Sequence, residues 1–256
     1  MASVMSLRDL ENQIVYQTKV TRETFEFQDF QLTLEVRSLE SLDDTIDRVF
    51  EYLQENGNES ELERLCPYFG VVWPAARALA DALFEEASRR EATKLSGLKI
   101  LEIGCGLALP SLVAAKLGAQ ILATDYHPMV PRFLNANLEL NQISTIEYLE
   151  LDWGSESDET QKKLESITGT DWDLIIGSDI LYERFHASQL FSLFEKILTQ
   201  TKRSNLIWIT DPARPYLQAF IDHLKASSIS VKTDIRTTFE WIHGQKKAKD
   251  IFILKL

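Results

Sequence analysis

Residues 98–110 read Leu98-Lys99-Ile100-Leu101-Glu102-Ile103-Gly104-Cys105-Gly106-Leu107-Ala108-Leu109-Pro110. An apolar run that ends in two closely spaced glycines and is followed by a proline predicts a buried strand turning sharply into a helix. Glycine admits positive φ and lets a main chain come close to a ligand. In the GxGxxG pattern such a turn places a dinucleotide's pyrophosphate at the helix N-terminus. Here Leu109 stands where the third glycine would be, and Pro110 follows it. The turn therefore departs from the dinucleotide pattern. By itself the turn is a weak signal, and a glycine that only ends a strand is the alternative.

Moving outward from this turn, strands and helices alternate. Leu109–Leu117 is a short apolar helix, opened by Pro110 and stopped by Gly118. Ala119–Asp125 reads as a second strand, Met129–Leu140 as a helix and Ile146–Trp153 as a third strand. Trp172–Ile180 and Asn205–Asp211 continue the series as strands. Ala187–Leu198, with Leu190, Phe191, Phe194 and Ile197 on one face, and Tyr216–Leu224 read as helices. Two last strands, Ile229–Phe239 and Asp250–Leu256, are joined by a lysine-rich turn with no helix between them. Alternation of this kind predicts a parallel sheet covered on both faces. The final hairpin makes the last strand antiparallel. The expected fold is α/β, a Rossmann-like doubly wound seven-stranded sheet with an antiparallel last strand, plus an N-terminal α/β extension. Residues 1–65 form the extension and 66–256 the main domain. In the extension, Thr24–Arg37 partly alternates, as two short strands or a hairpin do, and Ser41–Leu53 has helical spacing with Ser41 as N-cap. The acidic stretch Glu40–Glu63, broken by Asn56-Gly57-Asn58, reads first as a solvated helix and loop, and second as a substrate-facing rim.

Composition narrows the function. Among 256 residues, 45% are apolar and 26% charged, so the chain can bury a core and is not globally disordered. It carries 27 Lys and Arg against 39 Asp and Glu, a net charge of −12. That balance argues against a nucleic-acid partner, which needs basic side chains at phosphates. Cys66 and Cys105 lack zinc-ligand spacing, and His127, His186, His223 and His243 are scattered, so no metal is expected. Met1–Arg8 has no signal-peptide core, and no apolar run approaches the ~18 residues of a membrane span. A cytoplasmic protein without a membrane partner is expected.

In doubly wound sheets, ligands sit at the carboxyl ends of the strands near the switch point. Asp125 ends the second strand, 21 residues after Gly104, where a carboxylate can accept from both ribose hydroxyls of a nucleoside. It could equally cap the helix that follows. Glu102 would repel a pyrophosphate but tolerates the zwitterionic tail of a methionyl group. Asp152 can take the exocyclic amine of adenine while Trp153 packs on its face or fills the core.

Taken in order, 101–119 (LEIGCGLALPSLVAAKLGA), 123–128 (ATDYHP), 151–153 (LDW) and 173–183 (DLIIGSDILYE) resemble the seven-β-strand methyltransferases. More narrowly they resemble methyltransferase family 16, whose members mostly methylate lysine side chains of proteins. The likeness spans about residues 65–225. It includes Val72-Trp73-Pro74-Ala75-Ala76, whose Trp73 would wall the cofactor pocket, and Asp179-Ile180-Leu181-Tyr182, an acidic-x-x-aromatic signature beside the substrate amine. Asp211-Pro-Ala-Arg-Pro-Tyr216 is similar to a segment of the branch acting on the β-subunit of electron transfer flavoprotein, which usually has Trp-Pro-Gly-Gly where this chain has Trp-Pro-Ala-Ala. The resemblance implies S-adenosyl-L-methionine as cofactor, S-adenosyl-L-homocysteine as product and a protein substrate. It implies cofactor binding by Trp73, Glu102, Gly104, Gly106, Asp125, Tyr126, Asp152, Trp153 and Ser178, with Asp179 and Tyr182 as catalytic residues.

A lysine must lose a proton to become a nucleophile, and its free pKa is about 10.4. A carboxylate beside it stabilises the charged form. Asp179 is therefore expected to capture and orient the ammonium, with proton loss to water, while Tyr182 lines the slot. Alternatively, Asp179 and Tyr182 are a helix-start pair. A small amine or heterocycle as acceptor, an NAD-dependent oxidoreductase on the same sheet, and a non-catalytic relative serving as an interaction module remain open at this stage.

Overall fold

A computed structural model describes residues 14–89, 95–144, 146–200, 206–242 and 245–256. The stretch Met1–Arg8, Asn205 at the head of the fifth expected strand, and His243 lie outside these residues.

The chain begins with a two-stranded antiparallel ribbon, β1 (Thr18–Phe27) and β2 (Phe30–Leu39). Helix α1 (Leu42–Glu55) follows, with the Ser41 hydroxyl accepting from the Asp44 N–H as the expected cap. A short turn of helix, α2 (Leu62–Leu65), leads to α3 (Pro74–Arg89). Then come β3 (Lys99–Ile103), α4 (Leu109–Lys116), β4 (Gln120–Asp125), α5 (Val130–Leu140), β5 (Glu147–Glu150) and α6 (Asp158–Thr168). The chain closes with β6 (Leu174–Ser178), α7 (His186–Gln200), β7 (Ile207–Asp211), α8 (Pro215–Ala226), β8 (Lys232–Ile242) and β9 (Gln245–Lys255).

The seven-stranded sheet has the order β5-β4-β3-β6-β7-β9-β8. β3 is parallel to β4 and β6, β6 is parallel to β7, and β9 is antiparallel to both β7 and β8. This is the expected doubly wound sheet. The order reverses between β3 and β6, so a crevice opens beyond their carboxyl ends. Successive side chains on β3 enter opposite cores. Ile100 joins the layer holding α3, α4 and α5, and Leu101 and Ile103 join the layer of α7 and α8.

The N-terminal ribbon shares the first of these cores through Phe25, Leu34, Val36 and Leu39. It is also fastened by side-chain amides. The Glu35 N–H donates to Asn141 Oδ1 at 2.9 Å, and Asn141 Nδ2 returns a bond to the Glu35 carbonyl at 2.7 Å. Asn137 Oδ1 accepts the Arg37 N–H at 2.7 Å. Arg77 on α3 grips Glu23 on β1 with two bonds of 2.7 and 2.8 Å.

Three expectations need correction. The third strand ends at Glu150, because Asp152 turns the chain by accepting the Gly154 N–H at 3.0 Å. The lysine-rich segment is strand and not turn: Lys246, Lys247 and Lys249 lie within β9, paired with Trp241, Glu240 and Thr238. Pairing continues past the core because Lys246 sits 3.6 Å over the Phe239 ring and Thr237 bonds Asp250 at 2.6 Å. The sequence reading also placed no helix at α3 or α6. α3 buries Ala75, Ala78, Leu79, Ala82 and Leu83, so small residues set it close to the sheet. α6 opens on Ser157, which accepts from the Thr160 N–H. Among the described residues no helix is long and apolar enough to cross a membrane.

Candidate active site

A cavity of about 310 Å³ occupies the crevice at the switch point. That is the low end of the range for small-molecule sites, roughly 300–1,000 Å³. Trp73, Gly104, Gly106, Asp125, Tyr126, Trp153, Ser178, Asp179 and Tyr182 all line it, although they come from five separate segments. Glu102 and Asp152, also expected at the site, stand behind or beside the wall and do not line it.

One wall is built mostly of main chain. Gly104 has φ of 63° and Gly106 of 52°. A Cβ at Gly104 would come within 2.7 Å of Ile180 Cγ2 and 3.4 Å of the Trp153 ring, so only glycine fits both the turn and the space. Asp125 clasps this turn. Its Oδ2 accepts the Gly106 N–H at 2.9 Å and its Oδ1 the His127 N–H at 3.0 Å. Burial pushes the Asp125 carboxyl up, and these N–H groups oppose that shift.

Glu102 lies one step behind. It shares the face of Ile100 and points at α4, where Ser111 donates to its Oε2 through both N–H and hydroxyl. Its Oε1 is buried without a hydrogen-bond partner, and burial pushes the carboxyl up to about 8. His127 is structural. Its Nδ1 accepts the Met129 N–H at 3.1 Å, its Nε2 meets the Leu65 carbonyl at 3.2 Å, and burial lowers its pKa to about 4.

The opposite wall is built of side chains. Trp73, just ahead of α3, donates its indole N–H to the Tyr68 carbonyl at 2.9 Å. The Tyr182 and Tyr126 hydroxyls face one another as hydrogen-bond partners, and burial raises both phenols. His186 packs edge-on against Tyr182 at 4.6 Å and Trp153 at 5.6 Å. Asp179 follows β6 with φ of 62°, a conformation that strains any residue with a Cβ. It is paired with Arg214, which lies beyond β7 and also lines the cavity. Burial raises the Asp179 carboxyl, while Arg214 and, further off, Lys249 pull it down.

The sequence reading missed Arg214 as a site residue. Its only local signal is Asp211-Pro-Ala-Arg214 at a strand end; the pairing to Asp179, 35 positions earlier, is a product of the fold. Tyr68 and Phe185 are exposed aromatics near Tyr182 and His186, with ring separations of 6.4 and 4.8 Å. Among the described residues there is no cluster that could hold a metal ion.

Such a cavity can hold a nucleoside by its ribose at Asp125 and its base against Trp153, and leaves a polar slot at Asp179 and Tyr182 for a second reactant. Residues 63–226 match the family described as lysine methyltransferase. The chain is 31% identical over 146 residues to histone-arginine methyltransferase METTL23 of Xenopus laevis, covering 54% of this chain and 58% of that protein. It is 36% identical over 116 residues to protein N-lysine methyltransferase METTL21A of Mus musculus, covering 44% and 47%. The chain thus spans about half the length of the curated relatives it matches. Among solved structures, a SAM-dependent methyltransferase from Agrobacterium tumefaciens superposes with a TM-score of 0.56 at 12% identity, covering 91% of this chain and 69% of that one. The T. thermophilus 16S rRNA methyltransferase RsmC, in complex with AdoMet and guanosine, gives 0.55 at 14%, covering 94% and 51%. These two share the fold.

Proposed function

This chain belongs to the lysine methyltransferase family, and on that premise we propose that it transfers a methyl group from S-adenosylmethionine to a lysine side-chain amine of a protein. When bound, the cofactor supplies a methyl group on a sulfonium, already a good leaving group. The residues present fit it. The glycine turn brings bare main chain to the cavity, and a Cβ at Gly104 would crowd Ile180 and the Trp153 ring there. Asp125 keeps acceptor capacity for ribose hydroxyls beyond its two main-chain bonds. Trp73 and Trp153 offer apolar faces, Tyr126 and Ser178 close the wall, and Asp152 is exposed beside Trp153 for the adenine amine.

The chain's task is then placement, since holding nucleophile, methyl carbon and sulfur in line supplies most of the acceleration. The acceptor ammonium gives one proton to water. Its nitrogen lone pair then forms the N–C bond as the methyl–sulfur bond breaks, that pair going to sulfur. Positive charge passes from sulfur to nitrogen. Asp179 and Tyr182 aim the nitrogen. The observation that carries this reading is the Asp179–Tyr182 slot facing the glycine turn across one cavity. A protein acceptor is favoured by the exposed Tyr68 and Phe185 at the slot and by the acidic surface of α1 and the turn after it, which suits a basic segment.

An arginine acceptor is the second reading, because the place beside Asp179 already receives a guanidinium, that of Arg214. Labelled S-adenosylmethionine with a cell lysate, followed by mass spectrometry of the labelled bands, separates them. Label on lysine is expected. Label on arginine would change the acceptor, and failure of the chain to bind S-adenosylhomocysteine in a calorimeter would remove the reading altogether.

A further inference from the structure

The Asp179 side chain is 7% exposed, that of Asp211 1% and that of Arg214 30%. Arg214 Nη1 donates to Asp179 Oδ1 and lies 3.4 Å from its carbonyl oxygen. The Arg214 N–H donates to Asp211 Oδ1 at 2.7 Å, and its Nη1 stands 4.0 Å from Asp211 Oδ2. That Oδ2 is buried with no hydrogen-bond partner. Two buried carboxylates therefore flank one guanidinium at the end of the slot. Asp179 is itself fixed, its N–H donating to the Thr210 carbonyl at 2.9 Å.

This arrangement bears on a difficulty in amine methylation. A carboxylate within about 4–6 Å holds an amine in its charged form, raising its pKa by about 1–3 units. A lone Asp179 would thus bind the acceptor well and suppress its nucleophilicity. We infer that Arg214 is a positioning residue for the transfer: it neutralises Asp179, so that this carboxylate aligns the acceptor nitrogen without stabilising the protonated form. Asp211 holds Arg214 in that place.

The other charged groups around the slot do not replace it. Lys249 on β9 lies near enough to lower the Asp179 carboxyl but is paired with Glu240 at 3.9 Å. Glu183 adds negative charge to the cavity wall, and Asp125 faces from β4 with both oxygens on main-chain N–H groups. Tyr182 and Tyr126 stay neutral, and burial lowers His186 to about 4, so it too is neutral at pH 7. The Asp211 carboxyl is pushed up to about 6 by burial, and above that pH its charge makes Arg214 the more necessary.

The inference rests on the amine-acceptor reading, and the test separates the two. n-Butylamine, a lysine side-chain mimic, is titrated calorimetrically into protein saturated with S-adenosylhomocysteine at about pH 7 and about pH 10, below and near the free amine's pKa. The wild type is expected to bind it more tightly at the higher pH. Arg214→Gln is expected to bind it about tenfold more tightly than the wild type at the lower pH. In turnover on the single-lysine peptide that the wild type labels most strongly from an array, the acid limb of the kcat/KM profile should move up by about one pH unit in Arg214→Gln. Arg214→Lys should restore both.

The inference is overturned by either of two results. One is an Arg214→Gln protein that still binds S-adenosylhomocysteine but leaves the amine affinity and the limb where they were. The other needs no variant and so holds even if Arg214→Gln does not fold: a wild type that binds n-butylamine more tightly at the lower pH, or at neither. A wild type that binds the amine as expected yet labels no peptide would count instead against the proposed function.

Discussion

The two walls of the cavity solve the same problem with different materials. The β3–β4 wall presents main chain, two glycines with positive φ whose turn is clasped by a carboxylate taking the Gly106 and His127 N–H groups. The β6–β7 wall presents charge, with Asp179, Asp211 and Arg214 brought together from two strand ends. The first is suited to a ligand that is always the same, because main-chain geometry offers few ways to vary. The second can be retuned by single side chains, which suits the acceptor site proposed for it.

The comparison breaks most visibly if the walls are not separable. Asp179→Asn should lower kcat/KM for methyl transfer about a hundredfold, as misaimed nucleophiles do, and leave S-adenosylhomocysteine affinity unchanged. A parallel loss of cofactor affinity by calorimetry would join the walls into one. Gly104→Ala attacks the other wall, where the new Cβ meets Ile180 Cγ2 at 2.7 Å and the backbone is held at φ 63°. Strain of about 1–3 kcal/mol should weaken S-adenosylhomocysteine binding by roughly tenfold to a hundredfold.

The two walls also differed in how far the sequence disclosed them. Gly104, Gly106 and Asp125 stand in local order along adjacent strands, so spacing alone predicts that they meet. The parallel strands, the antiparallel ending and the Ser41 cap were legible for the same reason, since each depends on a short-range pattern. The Asp179–Arg214 pair depends on β6 and β7 lying side by side, and no local pattern records it. α3 was missed because its buried face is mostly alanine, which weakens the apolar stripe that marks a helix. The lysines of β9 read as a turn because their pairing with β8 runs beyond the core that usually signals a strand.

A finer probe of the main-chain wall is Glu102. Its folded pKa of about 8 lies above the ordinary 4.5, so the protonated form is the one the fold prefers. Its contribution to stability is present below pH 4.5 and is lost as pH rises toward about 8. Glu102→Gln removes that loss. The melting temperature of the ligand-free variant relative to the wild type should therefore climb across this window, as scanning calorimetry at several pH values would show. A flat difference would mean that Oε1 is not the uncompensated group it looks to be. The smallest effect belongs to Trp73→Phe, which gives up the indole bond to the Tyr68 carbonyl at 2.9 Å but keeps an apolar face. One hydrogen bond of about 0.5–1.5 kcal/mol corresponds to a roughly two- to tenfold drop in cofactor affinity.

The amide hooks that Asn137 and Asn141 throw onto β2 engage only peptide groups. Such a clamp is blind to the identity of the residues it holds. Mutations along the outward row of this ribbon can therefore accumulate without loosening it from the sheet domain. The molecule carries a strip of terrain that selection is free to repaint.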